Sequence, residues 1–104
     1  MSDRLITLLS RLNLATEQGD LNWEELPGEE FSATFSGYAV GIEQGALGYV
    51  LTIYDDDGNI VESVAGKDSI FRDLFRAARR VARGIDEALN SILSQLPNDD
   101  ELPF

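Results

Sequence analysis

Hydrophobic and polar positions recur with two different periods along this chain, and the change of period divides it into helix, sheet and helix. Over residues 2–18, Leu5, Leu8, Leu9 and Leu12 stand at helical spacing, behind Ser2 as cap and Asp3 as first-turn acid, until Gly19 ends the pattern. The segment DLNWEELPGEE that follows has no period and breaks at Pro27-Gly28. It reads as a linker anchored in the core by Trp23 and Leu26, with Trp23 as a packing residue rather than a platform for a ligand.

From Phe31 the period becomes two. Phe31, Ala33 and Phe35 alternate with Ser32, Thr34 and Ser36; after Gly37, Tyr38, Val40 and Ile42 alternate with Ala39, Gly41 and Glu43. QGALG is a turn, YVLTIY is the strongest strand, and DDDGN joins it to IVESVA as a tight antiparallel hairpin. The count is three strands if Ser36-Gly37 bends one strand and four if it turns the chain; a meander is the simplest connection. One sheet face then carries Phe35, Tyr38, Val40, Ile42, Tyr49, Leu51, Ile53 and Val61 and takes the helices, while the other carries Ser32, Thr34, Ala39, Gly41, Val50, Thr52, Tyr54 and Glu62. On that second face Val50, Tyr54, Ile60 and Val64 are candidates for a modest association surface, the alternative being an ordinary solvated face.

Residues 69–95, SIFRDLFRAARRVARGIDEALNSILSQ, read as one long helix started by Asp68 or Ser69. At 100° per residue, Ile70, Phe71, Leu74, Phe75, Ala77, Ala78, Val81, Ala82, Ile85, Ala88, Leu89, Ile92 and Leu93 share one arc, which calls for burial along its whole length. Opposite the arc run Arg72, Arg76, Arg79 and Arg83, with Arg80 at the edge of the stripe. Gly84 interrupts the helix at a cost of about 0.5–1 kcal/mol and reads as a site of close packing or a slight kink, with a hinge as the alternative.

Charge sharpens that picture. The chain of 104 residues has a net charge of −11, yet six of its eight basic residues lie between Lys67 and Arg83. Asp68 with Arg72, Asp73 with Arg76 and Arg83 with Glu87 have ion-pair spacing, which accounts for part of the stripe as a solvated face. The four arginines also repel one another at i,i+3 and i,i+4, a cost that stability alone does not explain. Arg72, Arg76, Arg79, Arg80 and Arg83 are therefore the candidate partner-binding residues, for a carboxylate-rich protein surface, an acidic loop of another copy, or phosphate.

Composition removes most chemistry. With no cysteine and no histidine, disulfides, thiolate nucleophiles, sulfur-ligated zinc and the usual neutral-pH base are excluded. The pairs Glu24/Glu25 and Asp55/Asp57 stand in acidic runs beside turn formers rather than on apolar strands, and there is neither a nucleophile elbow nor a phosphate-cradling loop. No enzyme, cofactor or metal is expected. Asp55, Asp57 and Gly58 echo a calcium loop, but Ile53 and Val64 stand where ligands belong, and a hairpin turn explains the same residues. The acidic balance disfavours nucleic acid as a direct partner, although Glu24, Glu25, Glu29, Glu30, Asp55, Asp56 and Asp57 could mimic it. The start MSDRLITLLSRLNL has no uninterrupted apolar run, so a cytoplasmic protein without membrane association is expected.

The pattern LNWEEL, YVLTIYDDDGNIVESV and LFRAARRVARGIDEALNSIL resembles a loose set of short, uncharacterised bacterial proteins, over residues about 20 to 95. The resemblance implies a compact bacterial domain and no activity, substrate or site. The expectation is thus one α+β domain over residues 1–96: an N-terminal helix, a three- or four-stranded antiparallel meander and a long C-terminal helix, both helices on one sheet face. Residues 97–104 follow as a flexible acidic tail, or as a short docking motif ending in Leu102, Pro103 and Phe104. The expected function is a non-enzymatic protein-interaction module, an adaptor, small regulator or immunity-type protein; the alternatives are a nucleic-acid-associated regulator or mimic, and a structural homodimer.

Overall fold

The computed structural model describes residues 3–97, so Ser2 as a cap and the tail beyond Pro97 lie outside the described residues. The chain is α+β, with α1 (Asp3–Glu17) leading into β1 (Glu24–Leu26), β2 (Glu30–Phe35), β3 (Tyr38–Gly45), β4 (Gly48–Asp55) and β5 (Ile60–Gly66), followed by α2 (Ser69–Ala82) and α3 (Ile85–Gln95). The strands form one antiparallel sheet in the order β1-β2-β3-β4-β5. The meander is as expected; its five strands replace three or four.

Two local features account for the difference in count. Gly37, at φ +83°, lets Ser36-Gly37 turn the chain, so that Phe35 pairs with Tyr38. The supposed linker contributes the additional strand, β1, paired through Glu24↔Ser32, Glu25↔Phe31 and Leu26↔Glu30. Three residues are too short to display a period of two, and two of them are glutamates, so only the pairing reveals the strand.

α1 and α2 cover one sheet face. Phe31, Ala33, Val40, Ile42 and Leu51 share a core with Leu9 and Leu12 of α1 and Phe71, Leu74, Phe75 and Ala78 of α2. Phe31 meets Phe75 edge-on at 5.4 Å between ring centroids. Phe35 and Tyr38 have the parity of the covered face but are exposed. At the end of α1 the Gly19 N–H donates to the Thr16 carbonyl and the Asp20 N–H to the Ala15 carbonyl, a Schellman closure that Gly19 permits at φ +79°. The chain then returns to bury Trp23, whose indole N–H donates to the Thr16 hydroxyl at 2.9 Å, while that hydroxyl donates to the Leu12 carbonyl at 2.6 Å. Trp23 is thus a packing residue with its one polar atom satisfied.

The expected second face needs two corrections. A register irregularity pairs Ile53 with Glu62 and Tyr54 with Ile60, leaving Val61 out of register. The parity of β5 therefore reverses at that point: Glu62 comes to the helix side beside Arg4, Leu5, Leu8 and Ile53, and Val61 is exposed rather than inside. Val64 pairs with Leu51 and packs against the core, so it cannot join Val50, Tyr54 and Ile60 on the outer face. The middle row of that face is Ser32, Gly41, Thr52 and Ser63, and the Tyr54 hydroxyl donates to Glu30 Oε2 at 2.8 Å over Gly41. Burial and then the Glu30 hydrogen bond raise the Tyr54 pKa above its usual value. Small polar side chains and an engaged tyrosine thus stand between Val50 and Ile60 on that face.

The largest correction concerns the last helix. Gly84 adopts φ +60°, ψ 34°, and the arc from Ile85 to Leu93 is not buried: α3 packs against the end of α2, and none of its residues is inside. A Cβ at Gly84 would meet nothing within 4 Å, so close packing is not what this glycine serves. It ends α2, with the Arg83 N–H donating to the Arg79 carbonyl and the Gly84 N–H to the Val81 carbonyl. The 3.6-residue pattern continues across the break because α3 is amphipathic too; a helical wheel shows which face is apolar, not whether anything covers it.

Candidate protein-docking surface

α2 is held from below. Phe71, Leu74, Phe75, Ala77 and Ala78 are buried, and this orients Arg72, Asp73, Arg76, Arg79 and Arg83 outward, with Arg80 half-buried at the α1 side. All five candidate arginines thus lie on the expected side of the helix, but the structure gives them different tasks.

Arg80 and Arg83 are structural ties. Arg80 Nη2 donates to Glu17 Oε2 at 2.8 Å, fastening α2 to the last turn of α1, and its Nε lies 3.4 Å from Asp86 Oδ2 without hydrogen-bond geometry. Arg83 donates from Nε and Nη2 to the two oxygens of Glu25 at 3.0 and 2.9 Å, and its guanidinium sits 5.5 Å from the Phe31 ring centroid. A two-pronged ion pair on an aromatic ring is the geometry for which arginine is suited and lysine is not. Neither contact was legible from helical spacing, since Glu17 and Glu25 are 63 and 58 residues away in the chain. Of the expected pairs Asp68–Arg72, Asp73–Arg76 and Arg83–Glu87, none occurs among the described ion pairs; Arg72 instead meets Asp73 at a long 3.4 Å.

Hydrogen bonding to Glu17 and to Glu25 raises the pKa values of Arg80 and Arg83. The Arg83 hydrogen bonds hold the Glu25 carboxyl below its usual 4.5, with slight burial opposing and the charges of Arg83 and Arg79 assisting. Because the folded value is the depressed one, the tie is at full strength above pH 4.5 and is lost as pH falls below that, through the folded pKa. Arg83→Gln is expected to move the Glu25 midpoint upward, read by carbon-13 NMR of its carboxyl; an unchanged midpoint would show that Arg83 does not set it.

Arg76 and Arg79 are different: they have no hydrogen bond or ion pair among the described residues. Arg79 lines a pocket of about 110 Å³ together with Arg83, Gln44, Glu29, Phe31 and Phe75. That is well below the roughly 300–1,000 Å³ of small-molecule sites and suits the end of one side chain. Beyond it, Arg80 to Gly84 and Asp86 and Glu87 line an open groove at the junction with α3. Then comes the apolar row Leu89, Ile92, Leu93 and Leu96, at 51, 55, 64 and 56% exposure, which the expected burial of the long helix concealed. The signal that would have found it is Gly84, placed where only one half of the arc has a sheet beneath it.

Other candidates resolve locally. Asp55 Oδ1 accepts the N–H groups of Asp57 and Asn59 at 3.0 and 2.9 Å, so DDDGN is a self-bonded turn with Gly58 at φ +83°. Among the described residues no group of three or more acidic side chains converges as a metal site would need, and no helix is long and apolar enough to cross a membrane. The fold and surface thus define an α+β chain with an arginine-faced helix and an uncovered amphipathic one. No protein-family model, curated protein or solved structure matches it.

Proposed function

We propose that this chain is a cytoplasmic, non-enzymatic protein-interaction module, an adaptor, small regulator or immunity-type protein, that recognises a carboxylate-bearing protein surface through the arginine stripe. Arg72, Arg76 and Arg79 are the contacting members; Arg80 and Arg83 hold α2 in place behind them. The observation that carries the reading is the state of Arg76 and Arg79. Acids outnumber bases 19 to 8 in this chain, and yet these two guanidiniums make no hydrogen bond or ion pair with a carboxylate among the described residues, while their neighbours Arg80 and Arg83 are bonded to Glu17 and Glu25. A stripe serving stability alone would share out that excess of acid.

The test is capture from native lysate with and without nuclease, comparing the chain with Arg76→Glu/Arg79→Glu. Both arginines are exposed, so the variant is expected to stay folded, with a midpoint lowered only by the new like charge beside Glu25 and Glu29, and to lose a nuclease-resistant protein partner. Partners that vanish with nuclease would favour a nucleic-acid role, and partners unaffected by the substitution would sink the stripe as the docking element.

A further inference from the structure

The pocket beside Arg79 has opposite charges on its walls that do not meet. Arg79 lines it from α2, Glu29 from the turn between β1 and β2, and Gln44 from the end of β3. None of these three side chains makes a hydrogen bond or ion pair among the described residues. Arg83 is a further wall and is fixed there: its Nε and Nη2 are bound to Glu25 and its guanidinium lies over the Phe31 ring, so only Nη1 has no bond among the described ones. The buried rings of Phe31 and Phe75 complete the lining. Glu29 stands at φ +61°, alone in the left-handed region among the described non-glycine residues. Such an outlier at a pocket points to a use for the side chain, since glycine would take that backbone without strain.

Size limits the occupant. At about 30 Å³ for each water of the liquid, the pocket's volume of about 110 Å³ has room for roughly three or four non-hydrogen atoms, the end of one side chain. Charge selects among such ends. Arg79 and Arg83 are balanced by Glu29 and by Glu25 behind Arg83, so the surroundings are neutral in sum while offering donors and an acceptor at once. A carboxylate gains at Arg79 and is repelled at Glu29. An ammonium or guanidinium gains at Glu29 and is repelled at both arginines. A phosphate carries more charge and more atoms than either. A carboxamide has the matching polarity: its oxygen accepts from Arg79, its NH2 donates to Glu29, and Gln44, with an oxygen and an NH2 of its own, can serve either end. Being uncharged, it also brings no unbalanced charge against the buried rings.

From these observations we infer that the pocket takes the side-chain carboxamide of an asparagine or glutamine of the partner protein, with Arg79 and Glu29 as its binding pair. The inference rests on the reading of the arginine stripe as a docking element: the stripe meets the partner's carboxylates in the open, and the pocket adds one uncharged anchor beside them.

The test uses two probes of one shape, acetamide and acetate, with inorganic phosphate and methylguanidinium beside them. Each is titrated into the full chain and followed by nitrogen-15 NMR at the Arg79 Nε–H and the Gln44 side-chain NH2. Acetamide is expected to shift both signals and to bind at least about tenfold more tightly than the three charged probes. Glu29→Gln separates the alternatives by sign, and it leaves the fold alone because Glu29 is exposed and glutamine meets the same backbone requirement. It is expected to weaken acetamide about three- to tenfold, the difference between a charged acceptor and a neutral one, and to strengthen acetate. Arg79→Gln, read at Gln44, is expected to weaken both. Acetate bound more tightly than acetamide, acetamide tightened by Glu29→Gln, or no shift with any probe would each overturn the inference while leaving the proposed function standing. Capture of protein from lysate that is indifferent to Arg76→Glu/Arg79→Glu would remove the proposed function and the partner's carboxamide with it.

Discussion

Phe31→Ala is expected to lower the unfolding free energy by about 3–5 kcal/mol, a large share of the roughly 5–15 kcal/mol that holds a chain of this size folded. Phe31 is fully buried in β2, meets Phe75 of α2 edge-on at 5.4 Å, and lies beneath the Arg83 guanidinium at 5.5 Å. Alanine would remove the transfer energy of the ring, leave a cavity under α2, and take the aromatic face away from Arg83. Urea unfolding followed by circular dichroism reads the loss. Phe31→Leu, which keeps much of the apolar bulk but not the ring, is expected to recover most of the stability and none of the arginine stacking. A cost below about 1 kcal/mol for Phe31→Ala would mean that the sheet and α2 can close around the gap, contrary to close packing here.

Gly66→Ala is the second large effect, and it comes from crowding rather than loss. Gly66 ends β5 two residues before the cap of α2, and a Cβ there would run into the ring of Phe71, which is itself fully buried. The ring cannot swing away as an exposed side chain would, so the expected cost is about 1–3 kcal/mol. Coupling is the decisive readout. In a double-mutant cycle with Phe71→Leu, the combined loss is expected to be smaller than the sum of the single losses, because the smaller side chain admits the added methyl. Additive losses would place the strain elsewhere.

Much of the architecture was legible because burial leaves a period. The leucines of α1, the alternation from Phe31 to Ile42 and the apolar face of α2 follow from which positions face the core, and the Asp57-Gly58 turn follows from local turn chemistry. β1 was not legible, since three residues display no period. The face of Glu62 was misjudged because an irregularity in register reverses parity without marking the sequence. The arginine stripe was legible as a stripe, but nothing in helical spacing separates Arg83, clasped to Glu25 on another element, from Arg79, which is clasped to nothing.

By itself, the sequence determined the class of the chain, the order of its main helices and strands, the acidic balance with its one basic segment, and the absence of cysteine and histidine, because each of these depends on composition or on local period. The tertiary structure alone decided which arginines are ties and which are open, and that the last helix breaks at Gly84 to leave an apolar face uncovered. Both depend on distances between residues far apart in the chain and on where the sheet ends beneath the helix, and no local pattern encodes either.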